Sequence, residues 1–121
     1  MRNRRDFLDE SRLWEKSVTV KRISPQEAHD AFIQKAFPFA ILDVRHEDEY
    51  EKGHVPGALL ADVEDIVAGC ATLPENKALT LFVYCRAGVR SARAAAALDA
   101  MGYTDVRDFG GILDWPFETE V

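Results

Sequence analysis

The stretch Leu79-Thr80-Leu81-Phe82-Val83-Tyr84-Cys85-Arg86-Ala87-Gly88-Val89-Arg90-Ser91-Ala92-Arg93-Ala94-Ala95-Ala96-Ala97-Leu98 decides the fold. Leu79 to Tyr84 is almost wholly apolar, the pattern of a strand covered on both faces in a parallel sheet. Ser91 to Leu98 is rich in the strongest helix formers, and the helix it predicts stops at Gly102, a natural C-terminal cap. Cys85 to Arg90 is then a tight loop from strand into helix. In folds built from such units ligands bind beyond the carboxyl ends of the strands, and Cys85 stands at one of those ends.

Upstream, Phe39 to Val44 has the same buried-strand character, with a polar exit through Asp43 and Arg45. Val18 to Ile23 predicts an edge strand. Ser24-Pro25-Gln26-Glu27 opens a helix running to about Lys35, with Ser24 as cap, Pro25 at the first position and Glu27 completing a capping box. Glu47 to Glu51 predicts one or two helical turns ended by Gly53, and Val55-Pro56-Gly57 a turn into Ala58-Leu59-Leu60. Val63 to Cys70 is expected to form a short helix. Downstream, Asp105 to Phe109 predicts a last strand, with Gly110-Gly111 a sharp turn into a short terminal helix around Trp115. The expected architecture is a single α/β domain over residues 18–121, its mainly parallel central sheet flanked by helices. Residues 1–17 form a charged N-terminal extension whose apolar minority, Phe7, Leu8, Leu13 and Trp14, is compatible with an amphipathic helix.

At 121 residues the chain has room for one ordinary domain. Its 47% hydrophobic and 30% charged residues are the balance of a soluble globular protein. A net charge of -6 disfavours nucleic acid and anionic membrane as partners, since both would be repelled at long range. The arginines near the start and Lys77 form no basic stripe. Asp6, Asp9, Glu10 and Arg12 interrupt the place where the apolar core of an export signal would follow Met1-Arg2-Asn3-Arg4-Arg5, and no apolar run is long enough to span a bilayer. With Cys70 and Cys85 far apart in sequence, these features predict free thiols and a cytoplasmic location.

A thiol at the end of a buried strand, followed at once by a loop into a helix, lies against backbone N–H groups and the positive end of the helix dipole. Those surroundings, with Arg86 and Arg90 beside them, favour the nucleophilic thiolate. Gly88 marks a tight bend or a close approach that a side chain would block. The resulting nest of donors suits a thiolate, a persulfide anion, an oxyanion or a sulfonate, and charge alone does not choose among them.

These residues resemble the rhodanese-like domain family. Cys85-Arg86-Ala87-Gly88-Val89-Arg90-Ser91 is similar to its C-R-x-G-x-R-S active loop. Leu42-Asp43-Val44-Arg45 and Gly53-His54-Val55-Pro56-Gly57-Ala58 resemble its two upstream signatures, and Gly110 to Trp115 its terminal motif, all in family order. The resemblance implies a cofactor-independent sulfurtransferase in which Cys85 takes the outer sulfur of a donor such as thiosulfate. The resulting persulfide passes its sulfur to cyanide, to a thiol or to an acceptor protein. It further implies that a six-residue loop, as from Cys85 to Arg90, belongs to sulfurtransferases, and a seven-residue loop to related phosphatases.

Cys85 is therefore read as the catalytic nucleophile, against packing as a small core residue, and Cys70, in an apolar stretch, as packing. Arg86, Ala87, Gly88, Val89, Arg90 and Ser91 are read as substrate-binding, with Arg86 facing solvent and Arg90 bracing the loop. Asp43 and Arg45 are expected to orient that loop from behind, or else to form an ordinary surface ion pair. His46-Glu47 begins like a zinc-protease helix, but Tyr50 replaces the second histidine, so no metal site is expected. His54 is read as a structural hydrogen-bonding group. Two other readings stay open: a persulfide-sensing or sulfur-carrier interaction module without turnover, and a cysteine-dependent phosphatase or arsenate reductase.

Overall fold

The computed structural model describes residues 20–121, so the extension expected over residues 1–17 lies outside the described residues. Element order is β1 (Val20–Arg22), α1 (Pro25–Gln34), β2 (Phe39–Asp43), α2 (Glu47–Lys52), β3 (Leu59–Leu60), α3 (Val63–Ala68), β4 (Thr80–Cys85), α4 (Val89–Ala100) and β5 (Val106–Gly111). A short 3-10 turn over Ile112–Asp114 follows. The strands form one sheet in the order β1-β5-β4-β2-β3, every neighbouring pair parallel. The α/β architecture is the one expected, and β1 lies at an edge as its sequence predicts.

β4 is central and all of its residues are buried, which is why its sequence carries no polar alternation. Successive side chains still point to opposite faces. Leu81, Val83 and Cys85 join Leu42, Val44, Val63, Ile66, Ala94, Ala95 and Leu98 on the face covered by α3 and α4. Phe82 and Tyr84 join Ile41, Ala28, Phe109 and Trp115 on the opposite face, under α1. The abundance of alanine on α4 lets that helix lie close to the sheet, with Ala94 and Ala95 fully buried.

α1 begins as predicted: Glu27 N–H donates to Ser24 Oγ at 3.0 Å and Ser24 N–H to Glu27 Oε1 at 2.9 Å. Two expectations need correction. α3 ends at Ala68, because Gly69 adopts the left-handed conformation of a helix C-cap, and Cys70 is left outside the helix and exposed. Gly110 and Gly111 belong to β5, and only the short 3-10 turn precedes Trp115. The reason is pairing, since Gly111 lies opposite Cys85 across a register shift between β4 and β5.

Candidate active site

Cys85 is the last residue of β4 and only 1% exposed. Gly88 N–H donates to its Sγ at 3.0 Å. Gly88 is the N-cap of α4 with φ of 102°, a conformation that side-chain-bearing residues rarely adopt. A Cβ there would meet only Gly110 Cα at 3.8 Å, an ordinary contact. Of the two readings the sequence offers, the tight bend is the one the backbone shows, and its left-handed conformation requires glycine at this position.

The close approach occurs at Gly111. A Cβ on Gly111 would lie 2.1 Å from the Arg86 carbonyl oxygen and 2.7 Å from Ala87 Cα, so the active loop rests directly on the end of β5. Leu113 N–H donates to the same Arg86 carbonyl at 3.2 Å. Sequence reasoning missed Gly111 because a Gly-Gly pair after a strand signals a turn as readily as a close packing site.

The remaining loop residues divide between surface and bracing. Arg86 and Ala87 are exposed, and Val89 is 80% exposed. Ser91 is fully buried, its hydroxyl 3.1 Å from the Gly88 carbonyl and 3.3 Å from the Gly110 carbonyl, so it ties α4 to the loop and to β5. Arg90 makes a two-pronged ion pair with Glu49 of α2, NH1 to Oε1 at 2.7 Å and NH2 to Oε2 at 2.9 Å. That pairing holds the Glu49 carboxyl at about 2, helped by the His46 N–H that also reaches it. Glu49 was not singled out from sequence, where it is one acid among several in a short acidic helix.

Asp43 and Arg45 are buried at 0% and 5% exposure, so they are not the surface pair that the sequence left open. Arg45 Nε reaches both carboxylate oxygens of Asp43, at 2.9 and 3.1 Å, and its NH2 reaches Oδ2 at 2.7 Å. The same NH2 donates to the Gly53 carbonyl at 2.7 Å. Tyr84 hydroxyl donates to Asp43 Oδ2 at 2.7 Å and accepts from Val55 N–H at 3.0 Å. One buried network therefore joins β2, β4 and the 53–55 turn immediately behind Cys85. Burial, followed by the Asp43 charge, pushes the Tyr84 hydroxyl far up, so it stays a donor. A tyrosine inside an otherwise apolar strand was the available signal, because a buried tyrosine hydroxyl needs a partner.

The histidines lie apart from the sulfur's hydrogen bonds. His46 Nδ1 pairs with Asp62 at 2.7 Å, and that contact raises its pKa. His54 is buried, stacked on Tyr50, with Nδ1 2.9 Å from the Tyr50 carbonyl, which agrees with a structural role. His29 stacks on Phe117 at 3.6 Å. Cys70 is exposed, not packed as expected, with Sγ 3.7 Å from Asp65 Oδ1. Among the described residues no cluster of His, Cys, Asp and Glu is placed to hold a metal ion, and no helix is long and apolar enough to cross a membrane.

A thiol held against a backbone amide at the start of a helix, on a loop fixed by Gly111, Ser91 and the Arg90–Glu49 pair, can act as a nucleophile and keep an anionic product in place. Comparison with known proteins agrees with this geometry. The family model for the rhodanese-like domain matches residues 24–116. The thiosulfate sulfurtransferase PspE of Escherichia coli is 38% identical over 73 residues, 60% of this chain and 70% of that protein. The putative sulfur carrier protein YrkF of Bacillus subtilis is 33% identical over 79% of this chain, which spans about half, 53%, of that protein. Among solved structures, a rhodanese-like domain protein from Staphylococcus aureus superposes with a TM-score of 0.71 at 31% identity, covering 84% of this chain and 97% of that one. The chain belongs to the rhodanese-like domain family.

Proposed function

We propose that this protein is a sulfurtransferase of the thiosulfate type, with residues 18–121 as its working domain and Cys85 as the sulfur carrier. The Cys85 thiolate attacks the outer sulfur of thiosulfate; the S–S bond breaks and sulfite leaves with its electron pair. The terminal sulfur of the resulting persulfide is then taken by cyanide, a low-molecular-weight thiol or an acceptor protein, which restores the thiolate. The observation that carries this reading is the 3.0 Å hydrogen bond from Gly88 N–H to Cys85 Sγ at the first turn of α4. That donor is in place before reaction and needs no reorganisation to stabilise the Cys85 thiolate that attacks. Free thiols at Cys70 and Cys85 suit a reducing, cytoplasmic setting.

The test is intact-mass measurement after thiosulfate treatment. The wild type and Cys70→Ser should each gain one sulfur atom that cyanide removes, and Cys85→Ser should gain none. Loading that survives in Cys85→Ser and is lost in Cys70→Ser would overturn the assignment. A second reading, a sulfur carrier that loads but scarcely turns over, draws support from the likeness to YrkF. It predicts stoichiometric loading with slow release to every small acceptor. Phosphatase chemistry is disfavoured by the six-residue loop, and robust aryl phosphate hydrolysis dependent on Cys85 would reverse that order.

A further inference from the structure

Arg90 is the second residue of α4, where a cation opposes the positive end of the helix dipole unless an anion stands beside it. Glu49 is that anion, and the fork-to-fork geometry uses both of its oxygens. Neighbouring arginines are compensated in the same way: Arg45 by Asp43 and Arg93 by Glu64. Of Arg45, Arg86, Arg90 and Arg93, only Arg86, in the loop between β4 and α4, lacks a carboxylate partner among the described residues. The cradle around the sulfur thus offers an incoming anion one uncompensated side-chain cation, although its sequence contains two arginines.

We propose that Glu49 is a positioning residue that sets donor specificity: by engaging Arg90 it holds the loop in shape while withholding that charge, so that donors with a single negative charge gain relative to dianionic ones. This rests on the sulfurtransferase reading. Arg90 lies in the first turn of α4, two residues beyond the Gly88 N–H that holds the Cys85 sulfur at 3.0 Å, and its pKa is raised by the Glu49 hydrogen bond first, with the Cys85 and Asp43 charges contributing. Glu49 stays ionised at every working pH, so the compensation is permanent.

Thiosulfate and methanethiosulfonate make a matched pair of probes, because a methyl group in the second replaces one anionic oxygen of the first. In each case the Cys85 thiolate attacks the outer sulfur and the S–S bond breaks, releasing sulfite from thiosulfate or methanesulfinate from methanethiosulfonate. Glu49→Gln keeps an acceptor for Arg90 and removes the charge. It should lower the thiosulfate KM about three- to tenfold, the size of one partly screened charge contact, and change the methanethiosulfonate KM by about twofold at most. Glu49→Asp, which keeps the charge, should retain the wild-type ratio of the two donors even if its kcat falls. In an Arg90→Ala background the Glu49→Gln effect on that ratio should vanish. Equal changes for both donors, or a ratio shift that persists without Arg90, would overturn the proposal while leaving sulfur transfer intact. Absence of a mass adduct on the wild type with either donor would instead overturn the sulfurtransferase reading itself, and this inference with it.

Discussion

The hydroxyl of Tyr84 donates to Asp43 Oδ2 at 2.7 Å, across a pair of residues that lie directly opposite each other on β4 and β2. Tyr84 precedes Cys85 in the chain, so this bond fixes the backbone from which the Cys85 thiol projects. Val55 N–H completes the arrangement by donating to the same hydroxyl at 3.0 Å. Tyr84→Phe removes the hydroxyl and leaves a buried amide unsatisfied, while Asp43 keeps Arg45. The expected cost is roughly 1 to 3 kcal/mol. Urea denaturation measures it, and a midpoint unchanged from wild type would show that water replaces the lost partner.

Most of this was legible in the sequence. The apolar run ending at Tyr84, the alanine-rich run after Arg90 and the capping box at Ser24 gave strand, helix and helix start, since each reports a local preference that the tertiary structure does not override. Cys85 was legible because its meaning depends on adjacent residues. Glu49, Tyr84 and Gly111 were not, because their roles depend on partners 41, 41 and 25 positions away: Arg90, Asp43 and Arg86 respectively. Cys70 differs in kind: its apolar neighbours suggest packing, but Gly69 beside it is a local C-cap signal that ends α3 and leaves the thiol exposed.

Gly111→Ala should damage the site more than its modest chemistry suggests. The added methyl would sit 2.1 Å from the Arg86 carbonyl oxygen, and the obstacle is backbone rather than a side chain that could swing aside. Relief requires the loop to lift from β5, which breaks the Leu113 N–H bond to Arg86 and moves Gly88 relative to the sulfur. Overpacking of this kind costs typically about 1 to 3 kcal/mol. Sulfur loading should slow even where the variant remains folded at the assay temperature. Loading at the wild-type rate, with wild-type thermal stability, would mean that the loop does not depend on this contact.

The Arg90–Glu49 pair gives a pH signature whose sign is fixed by the direction of the shift. Glu49 ionises at about 2 in the fold, below the ordinary 4.5, because Arg90 and the His46 amide stabilise its charged form. Its contribution is therefore complete above about pH 4.5 and is lost as pH falls toward 2. With the two side chains 27% and 24% exposed, solvent screening reduces the contribution to on the order of 1 to 2 kcal/mol. The stability difference between wild type and Glu49→Gln should shrink across that window in chemical denaturation at stepped pH. Parallel curves for the two proteins would refute the assignment.

The last prediction concerns Arg86, which is exposed at the mouth of the loop and has no carboxylate partner among the described residues. A dianionic donor must approach a protein of net charge -6, and an exposed guanidinium on the residue next to Cys85 in the chain offsets that repulsion locally. Its contact with the donor exists before attack and persists through it, so it contributes uniform binding. Arg86→Ala should then raise the thiosulfate KM with kcat nearly unchanged. A screened contact of this kind corresponds to roughly one order of magnitude in kcat/KM. The fold should be indifferent to the change, because the structural tie at this residue is made by the Arg86 carbonyl, which alanine retains. Stopped-flow loading across thiosulfate concentration separates the two parameters, and added salt should narrow the gap between wild type and variant as the charge is screened. A fall in kcat at unchanged KM would place Arg86 in contact with the departing sulfite in the transition state rather than with the donor on arrival. Unchanged kinetics would leave the loop's backbone donors as the sole recognition element for the anion.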